Sequence, residues 1–147
     1  MPSRYRLPAA VSLGAGPGRY RGRMRRFPGI LAAAIDLVLI IVFAAIGMAN
    51  HHGSILPGLV IVAWPFVAGA AIGWLASRAW RAPAKPVRSG LVIWILAVVA
   101  GMALRVATGG GFAWSFFLVT AFVLGAFLVG WRAIVALVVR IRAKQRS

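Results

Sequence analysis

Long apolar runs separated by short polar segments dominate the pattern of this sequence. They predict four helices, at about residues 30–49, 57–80, 90–106 and 112–139. Each run is long enough to cross the hydrocarbon core of a bilayer, which takes roughly 17–25 helical residues. The pattern therefore predicts an all-α fold: a polytopic membrane protein built as a bundle of four transmembrane helices.

Turn-forming residues mark the ends of these runs. Asn50 begins a short polar turn, and Pro57 suits the first turn of the second helix. Thr108 precedes three glycines, which end helices. The segment 81–86 contains two prolines and is predicted as a loop. Pro65 falls inside the second run, where it predicts a kink that bilayer helices tolerate.

The segments outside the runs are basic and polar. Residues 1–28 contain seven arginines with scattered Gly and Pro, which predicts a disordered cytoplasmic tail. A cleaved signal peptide is the alternative, but the following apolar run is too long for a signal core, and no small-residue cleavage site is clear. The membrane domain is then 29–140, and 141–147 forms a second cytoplasmic tail.

Basic residues set the expected orientation. The amino-terminal segment carries seven, the loop around 78–88 carries four and the carboxyl end from 132 carries five, whereas the other side has Arg105 alone. Sixteen against one is a strong positive-inside bias, and it predicts that both termini are cytoplasmic. Arginine outnumbers lysine, and Ala and Gly are abundant, which suggests a GC-rich bacterial genome. We therefore expect a multi-pass protein of a bacterial cytoplasmic membrane.

Composition narrows the classes of function. The formal net charge is +16, which is also typical of nucleic-acid binders. Here the basic residues flank apolar runs, so we expect anionic lipids of the cytoplasmic leaflet as partners and no nucleic acid. The chain has no cysteine and one acid, Asp36, which excludes disulfides and thiolate metal sites and leaves most hydrolytic sites without their residues. We expect no enzyme activity, no metal and no cofactor.

Asp36 is the first candidate functional residue, because a carboxylate inside a bilayer needs a partner. It lies about 10 Å inside the cytoplasmic end of the first span, and Arg132 lies at a similar depth in the fourth. We predict that the two side chains form a hydrogen-bonded pair; Arg78 is the rival partner. The pair is either a proton or ion relay or a structural contact that fixes helix register. The structural interpretation is favoured, since a transporter usually needs more than one buried acid.

A second candidate site is an outer polar cluster of His51, Arg105 and Thr108. Its functional interpretation is a site for an anion or a lipid phosphate. The alternative, slightly favoured, is that Arg105 extends to the headgroups. His51 and His52 lack the further ligands that a metal would need, so they are interpreted mainly as a solvated pair, with a pH-sensitive role as the alternative.

Small residues predict close helix packing. Gly69 and Gly73 form a GxxxG match, and Gly101 and Gly125 fall on faces that also carry other small residues. The match cannot distinguish packing within the chain from dimer formation. The tryptophans mostly fall near predicted interfaces and are interpreted as an aromatic belt, with the second and fourth of the series deeper: Trp64, Trp74, Trp80, Trp94, Trp114 and Trp131.

A string of spaced motifs resembles a known family. The motifs are Asp36 with 42–47 and His51, 63–66 with Gly69, 73–74, 101–102, 104–105, 108–109, 124–125 and 130–132. Over about 33–133 the chain resembles the bacterial membrane proteins of domain-of-unknown-function family 3054, with Met48 and Asn50 as minor departures. The resemblance implies an actinobacterial source and the four-span architecture. It implies no activity, because the family has none established.

Two hypotheses of function follow. The first is a small transporter or channel-like protein, motivated by Asp36, Arg105 and Arg132 within the spans. The second is a non-transporting membrane subunit or scaffold that binds another membrane protein, a second copy of itself or lipid. It is motivated by small-residue faces, short loops and the lack of a recognisable catalytic set. An enzyme acting on lipids is less favoured, because acid–base pairs are missing.

Overall fold

The computed structural model describes residues 28–48 and 55–145, and in these ranges it is helical without strands. The four helices are α1 Gly29–Met48, α2 Ile55–Ser77, α3 Leu91–Ala107 and α4 Trp114–Lys144. Each has the length and composition to cross a membrane. The predicted all-α four-helix fold is therefore confirmed. The predicted disorder of the amino-terminal segment and the polar turn after α1 fall outside the described residues.

The connection between α2 and α3 is more helical than the sequence predicts. Arg78 has a left-handed backbone, with a φ of 49°, and ends α2 before the predicted residue 80. After a short 3-10 turn, a wide helical turn at Pro86–Gly90 leads directly into α3. Within it the Gly90 N–H donates to the Lys85 carbonyl at 3.2 Å. Proline starts this turn because its fixed φ suits a first helical position.

Helix α4 is longer than predicted. It ends at Lys144 instead of about 139 and has 31 residues, so it is about 46 Å long. That exceeds the roughly 30 Å hydrocarbon core. Its last turns carry Arg140, Arg142 and Lys144, which are exposed. Arginine, alanine and lysine are good helix formers, so the helix continues where hydropathy falls.

Helices α2 and α3 pack closely through glycine. A Cβ added at Gly73 would lie 2.6 Å from the Ile93 Cα, and one added at Gly69 would lie 2.7 Å from the Leu96 carbonyl oxygen. The two glycines of the GxxxG match thus face α3 of the same chain. This placement favours packing within the chain over the dimer interpretation.

The other two predicted packing glycines also lie against neighbouring helices. A Cβ at Gly101 would lie 2.6 Å from the Phe66 ring, and one at Gly125 would lie 3.0 Å from the Trp94 indole nitrogen. Phe66 and Phe43 pack edge to face with ring centroids 5.5 Å apart. Helix α2 continues through the buried Pro65, and the kink predicted there stays a prediction.

Candidate functional site

A buried ion pair joins α1 to α4. Asp36 is 2% exposed and Arg132 is 0% exposed. The Arg132 Nη1 donates to Asp36 Oδ1 at 2.7 Å, and Nη2 donates to Oδ2 at 2.6 Å. Two parallel charge-assisted hydrogen bonds are the strong, planar form of this contact. The structure thus brings together the two residues that depth matching along the sequence pairs. Arg78, the rival partner, is exposed and forms no ion pair among the described residues.

Two tryptophans complete the surroundings of the carboxylate. The Trp74 indole on α2 donates to Asp36 Oδ2 at 2.8 Å, and the Trp131 indole on α4 donates to Oδ1 at 2.9 Å. Each oxygen therefore accepts two N–H bonds, which fills the roughly four acceptor positions of a carboxylate. Asp36 has no acceptor position left for a further ligand.

Arg132 is held by a second set of contacts. Its Nε donates to the Pro83 carbonyl in the α2–α3 loop at 2.9 Å, and Nη1 also donates to the Leu128 carbonyl at 2.7 Å. Its Cζ lies 4.4 Å from the centroid of the Trp131 ring. A Cβ at Gly90 would lie 3.0 Å from the Arg132 Cδ, so a glycine there leaves room for the arginine stem.

These contacts form one unit, which we call the Asp36 clamp: Asp36, Trp74, Trp131, Arg132 and the Pro83 carbonyl. It ties α1, α2, α4 and the α2–α3 loop together at one end of the bundle. Its geometry is that of a structural contact between helices, because every acceptor position of the acid is occupied by a protein donor.

Sequence reasoning missed part of the clamp. It interpreted Trp131 as part of an aromatic belt, but this indole is half-buried and bound to Asp36. A signal was present, because indole N–H groups only donate, and Trp131 adjoins the arginine paired with the acid. Trp94, expected to be deep, is half-buried and donates to the Ala121 carbonyl at 2.8 Å. The contact of the Pro83 carbonyl could not be predicted from residue type, because every residue has a backbone carbonyl.

A cleft of about 410 Å³ lies between α1 and α2, beside the clamp. Asp36, Trp74 and Trp80 are the lining residues with polar side-chain atoms, and the other lining side chains are apolar. Both Asp36 and Trp74 are already engaged with each other. The cleft therefore offers no chain of free polar groups leading away from the acid. Among the described residues, no three His, Asp or Glu come together as a metal site needs.

The structure describes two of the three residues predicted to form the outer cluster, so the cluster as a whole stays a prediction. The Thr108 hydroxyl donates to the Leu104 carbonyl at 2.9 Å, and the Arg105 carbonyl is a second acceptor within its reach at 3.2 Å. It therefore caps the end of α3, because hydroxyls readily bond to carbonyls three and four residues earlier. The Arg105 Cζ instead lies 4.5 Å from the centroid of the Phe116 ring. His51 lies outside the described residues.

Four apolar helices fastened by one buried ion pair define a small multi-pass membrane protein. The family model described as "protein of unknown function (DUF3054)" matches residues 33–135. The chain belongs to this family, and the resemblance drawn from the spaced motifs is confirmed. Comparison with curated proteins and with solved structures gave no match.

Proposed function

We propose that this protein is a non-transporting membrane component, a subunit or scaffold whose helix bundle binds lipid or another membrane protein. The observation that carries the proposal is the saturation of Asp36. Each carboxylate oxygen already holds two N–H donors, and all four donors lie on α2 or α4. The chain's single acid serves to hold its helices together.

The transporter hypothesis depends on the same residue. A relay must take up and release a proton or ion at a polar group, and the chain has one acidic side chain. Proton uptake at Asp36 would replace an acceptor by a donor in a site already surrounded by donors. This requirement favours the binding role over the transporting one.

The proposal includes a location and an orientation. Sixteen of seventeen basic residues fall in segments that the positive-inside rule assigns to the cytoplasm. We therefore propose that both termini are cytoplasmic and that the protein lies in a bacterial cytoplasmic membrane. A separate part of the proposal is that the protein has no enzymatic role. Reporter fusions after Arg88 and Ser147 should report the cytoplasm, and a fusion at Gly53 should report the exterior. A cytoplasmic signal at Gly53 would overturn this orientation.

Flux and partner experiments test the proposed role. Purified protein in liposomes, assayed with a panel of ions and small solutes, should give no flux above empty liposomes. Crosslinking and mild-detergent purification from the native host should recover a bound membrane protein or retained lipid. A flux that is lost in folded Asp36→Asn protein would refute the proposal, and so would recovery of lipid-free monomer alone.

A further inference from the structure

Arg105 is a cation that the Asp36 clamp does not use. It lies in the last turn of α3, about 22 Å along the axis from Gly90, which precedes α3 and lies beside the Arg132 side chain of the clamp. The chain contains one acidic side chain, and that group is bound to Arg132. No acidic side chain of this chain is therefore available to pair with Arg105.

The Arg105 side chain is nevertheless held in a defined position. Its Cζ lies over the Phe116 ring, 4.5 Å from the centroid, at the distance of a cation–π contact. The following loop wraps around its stem: a Cβ at Gly110 would lie 2.7 Å from the Arg105 Cγ. Gly109 and Gly111 have φ values of 85° and 69°, which glycine adopts readily. An aromatic ring and a glycine loop thus orient the guanidinium.

The polar atoms of this guanidinium make no hydrogen bond within the part of the chain that the structure describes. The Arg105 Nε is buried and unpaired, and no hydrogen bond joins the guanidinium to any residue in 28–48 or 55–145. Buried donors are nearly always hydrogen-bonded in proteins. An oriented, half-buried arginine without a carboxylate is suited to an anion from outside the chain.

The space around Arg105 indicates what kind of anion fits. Two clefts of about 370 Å³ and 180 Å³ meet at Arg105 and Phe116. The larger is lined by apolar side chains of α1, α2 and α4, such as Phe43 and Val119, and also by Ser115. The smaller is bordered by the loop at 110–113. A charged group beside an apolar cleft suits a molecule with an anionic head and a hydrocarbon chain.

The depth of Arg105 fits the same molecule. It lies two residues before the end of α3, so about 3 Å along the axis from the end of this membrane-spanning helix. The ends of a helix that spans a bilayer come close to the lipid headgroups, and a guanidinium binds phosphate oxygens through paired hydrogen bonds. A zwitterionic lipid also brings a cation, for which the chain has no free acid. The lack of a free acid to pair with a headgroup cation favours an anionic lipid over a zwitterionic one.

We infer that Arg105 binds the phosphate of an anionic phospholipid, with an acyl chain of that lipid in the larger cleft beside Phe116. The inference specifies the ligand of the binding role proposed above and rests on it. The site lies at the opposite end of the bundle from the Asp36 clamp, so the two can be perturbed separately.

The test measures lipid binding by the full chain. Native mass spectrometry in detergent counts retained phosphatidylglycerol, and thermal unfolding follows the added stability. Parallel arms add phosphatidylcholine or inorganic phosphate. The variants are Arg105→Gln, Arg105→Lys and the control Arg140→Gln, which removes an exposed charge from α4. Arg105→Gln should weaken phosphatidylglycerol binding about tenfold or more, as expected for a hydrogen bond to a charged group, and Arg105→Lys should weaken it less. The control should bind like the wild type.

Thermal unfolding measured without added lipid shows whether each variant is folded. Arg105→Gln should be at least as stable as the wild type in detergent alone, because it removes an unpaired buried donor. Equal phosphatidylglycerol binding by folded Arg105→Gln and wild type would overturn the inference. So would an equal stabilisation by inorganic phosphate or phosphatidylcholine, which would assign the site to a free anion or to any lipid. These outcomes leave the flux result untouched, so failure here is distinct from failure of the proposed function.

Discussion

Replacing Asp36 with asparagine tests the clamp by changing charge while nearly preserving shape. The amide oxygen can still accept from two of the four donors. The amide nitrogen would face the other two, for example the Trp74 indole and the Arg132 Nη2, which now donate to Oδ2. The substitution therefore loses two hydrogen bonds and leaves a buried guanidinium without its counter-charge.

The expected cost follows from these contacts. A hydrogen bond to a charged group contributes about 1.5–3 kcal/mol, so two of them bound the loss at roughly 3–6 kcal/mol. Breaking one side of a buried ion pair typically costs about 3–5 kcal/mol. Water entry at the membrane surface reduces such costs. We expect Asp36→Asn to lower the free energy of unfolding by about 3 kcal/mol, which is roughly a hundredfold in the folding equilibrium.

Equilibrium unfolding in mixed detergent micelles measures this change. Tryptophan fluorescence is a suitable signal, because Trp74 and Trp131 contact the substituted group. Arg132→Gln should cost a similar amount. The double variant should cost about 2 kcal/mol less than the sum of the two, in the range seen for contacting residues. Arg140→Gln, at an exposed position of the same helix, is the control and should change stability by less than about 0.5 kcal/mol.

Two results would refute this reasoning. One is an Asp36→Asn protein as stable as the Arg140→Gln control, which would mean that the four donors do not depend on the charge. The other is additivity of the double variant to within about 0.5 kcal/mol, which would mean that the two side chains are not energetically coupled.

The same unfolding assay tests three further predictions, two of which compare a pair of variants. Arg132→Lys should cost about 2 kcal/mol although it keeps the charge, because one ammonium cannot reach both the carboxylate and the loop carbonyl; stability equal to wild type would contradict this. Trp74→Phe should cost about 1.5–3 kcal/mol and Trp94→Phe only about 1 kcal/mol, since the first loses a bond to a charged acceptor and the second a bond to a neutral carbonyl; the reverse order would show that charge does not matter here. Gly73→Ala should cost about 1–3 kcal/mol, because its Cβ meets the α3 backbone, whereas Gly47→Ala, with open space around it, should cost nothing; equal effects would argue against close α2–α3 packing.

The sequence predicts the span number and the ionic contact for physical reasons that are easy to state. Length and hydropathy define membrane helices almost without reference to tertiary structure. The pairing of Asp36 could be predicted because the chain has a single acid, which can pair with one buried arginine at matching depth. A chain with several buried acids would have left the partner open.

The remaining part of the clamp depends on how each helix is rotated about its axis. In a bilayer both the lipid-facing and the core-facing sides are apolar, so hydrophobic periodicity does not fix this rotation. The contact of Pro83 through its backbone could not be read from the pattern, and for Trp131 the only signal was its position beside Arg132. The longer α4 was missed for a different reason, because hydropathy falls before helix propensity does.

The clamp also sets an order of events during synthesis. Asp36 and Arg132 are 96 residues apart, so ribosomes that add about 5–20 residues per second need roughly 5–20 s to make the partner. During that interval the acid of α1 lacks its arginine partner, and an unpaired charge costs about 2.5–3.5 kcal/mol at the centre of a membrane helix. The many Leu, Ile and Val residues of α1, each worth about −0.3 to −0.6 kcal/mol, offset this cost and allow insertion. The ion pair can form only after α4 is made, so in a nascent chain stopped before Trp131 the carboxylate has Trp74 as its one donor from the clamp.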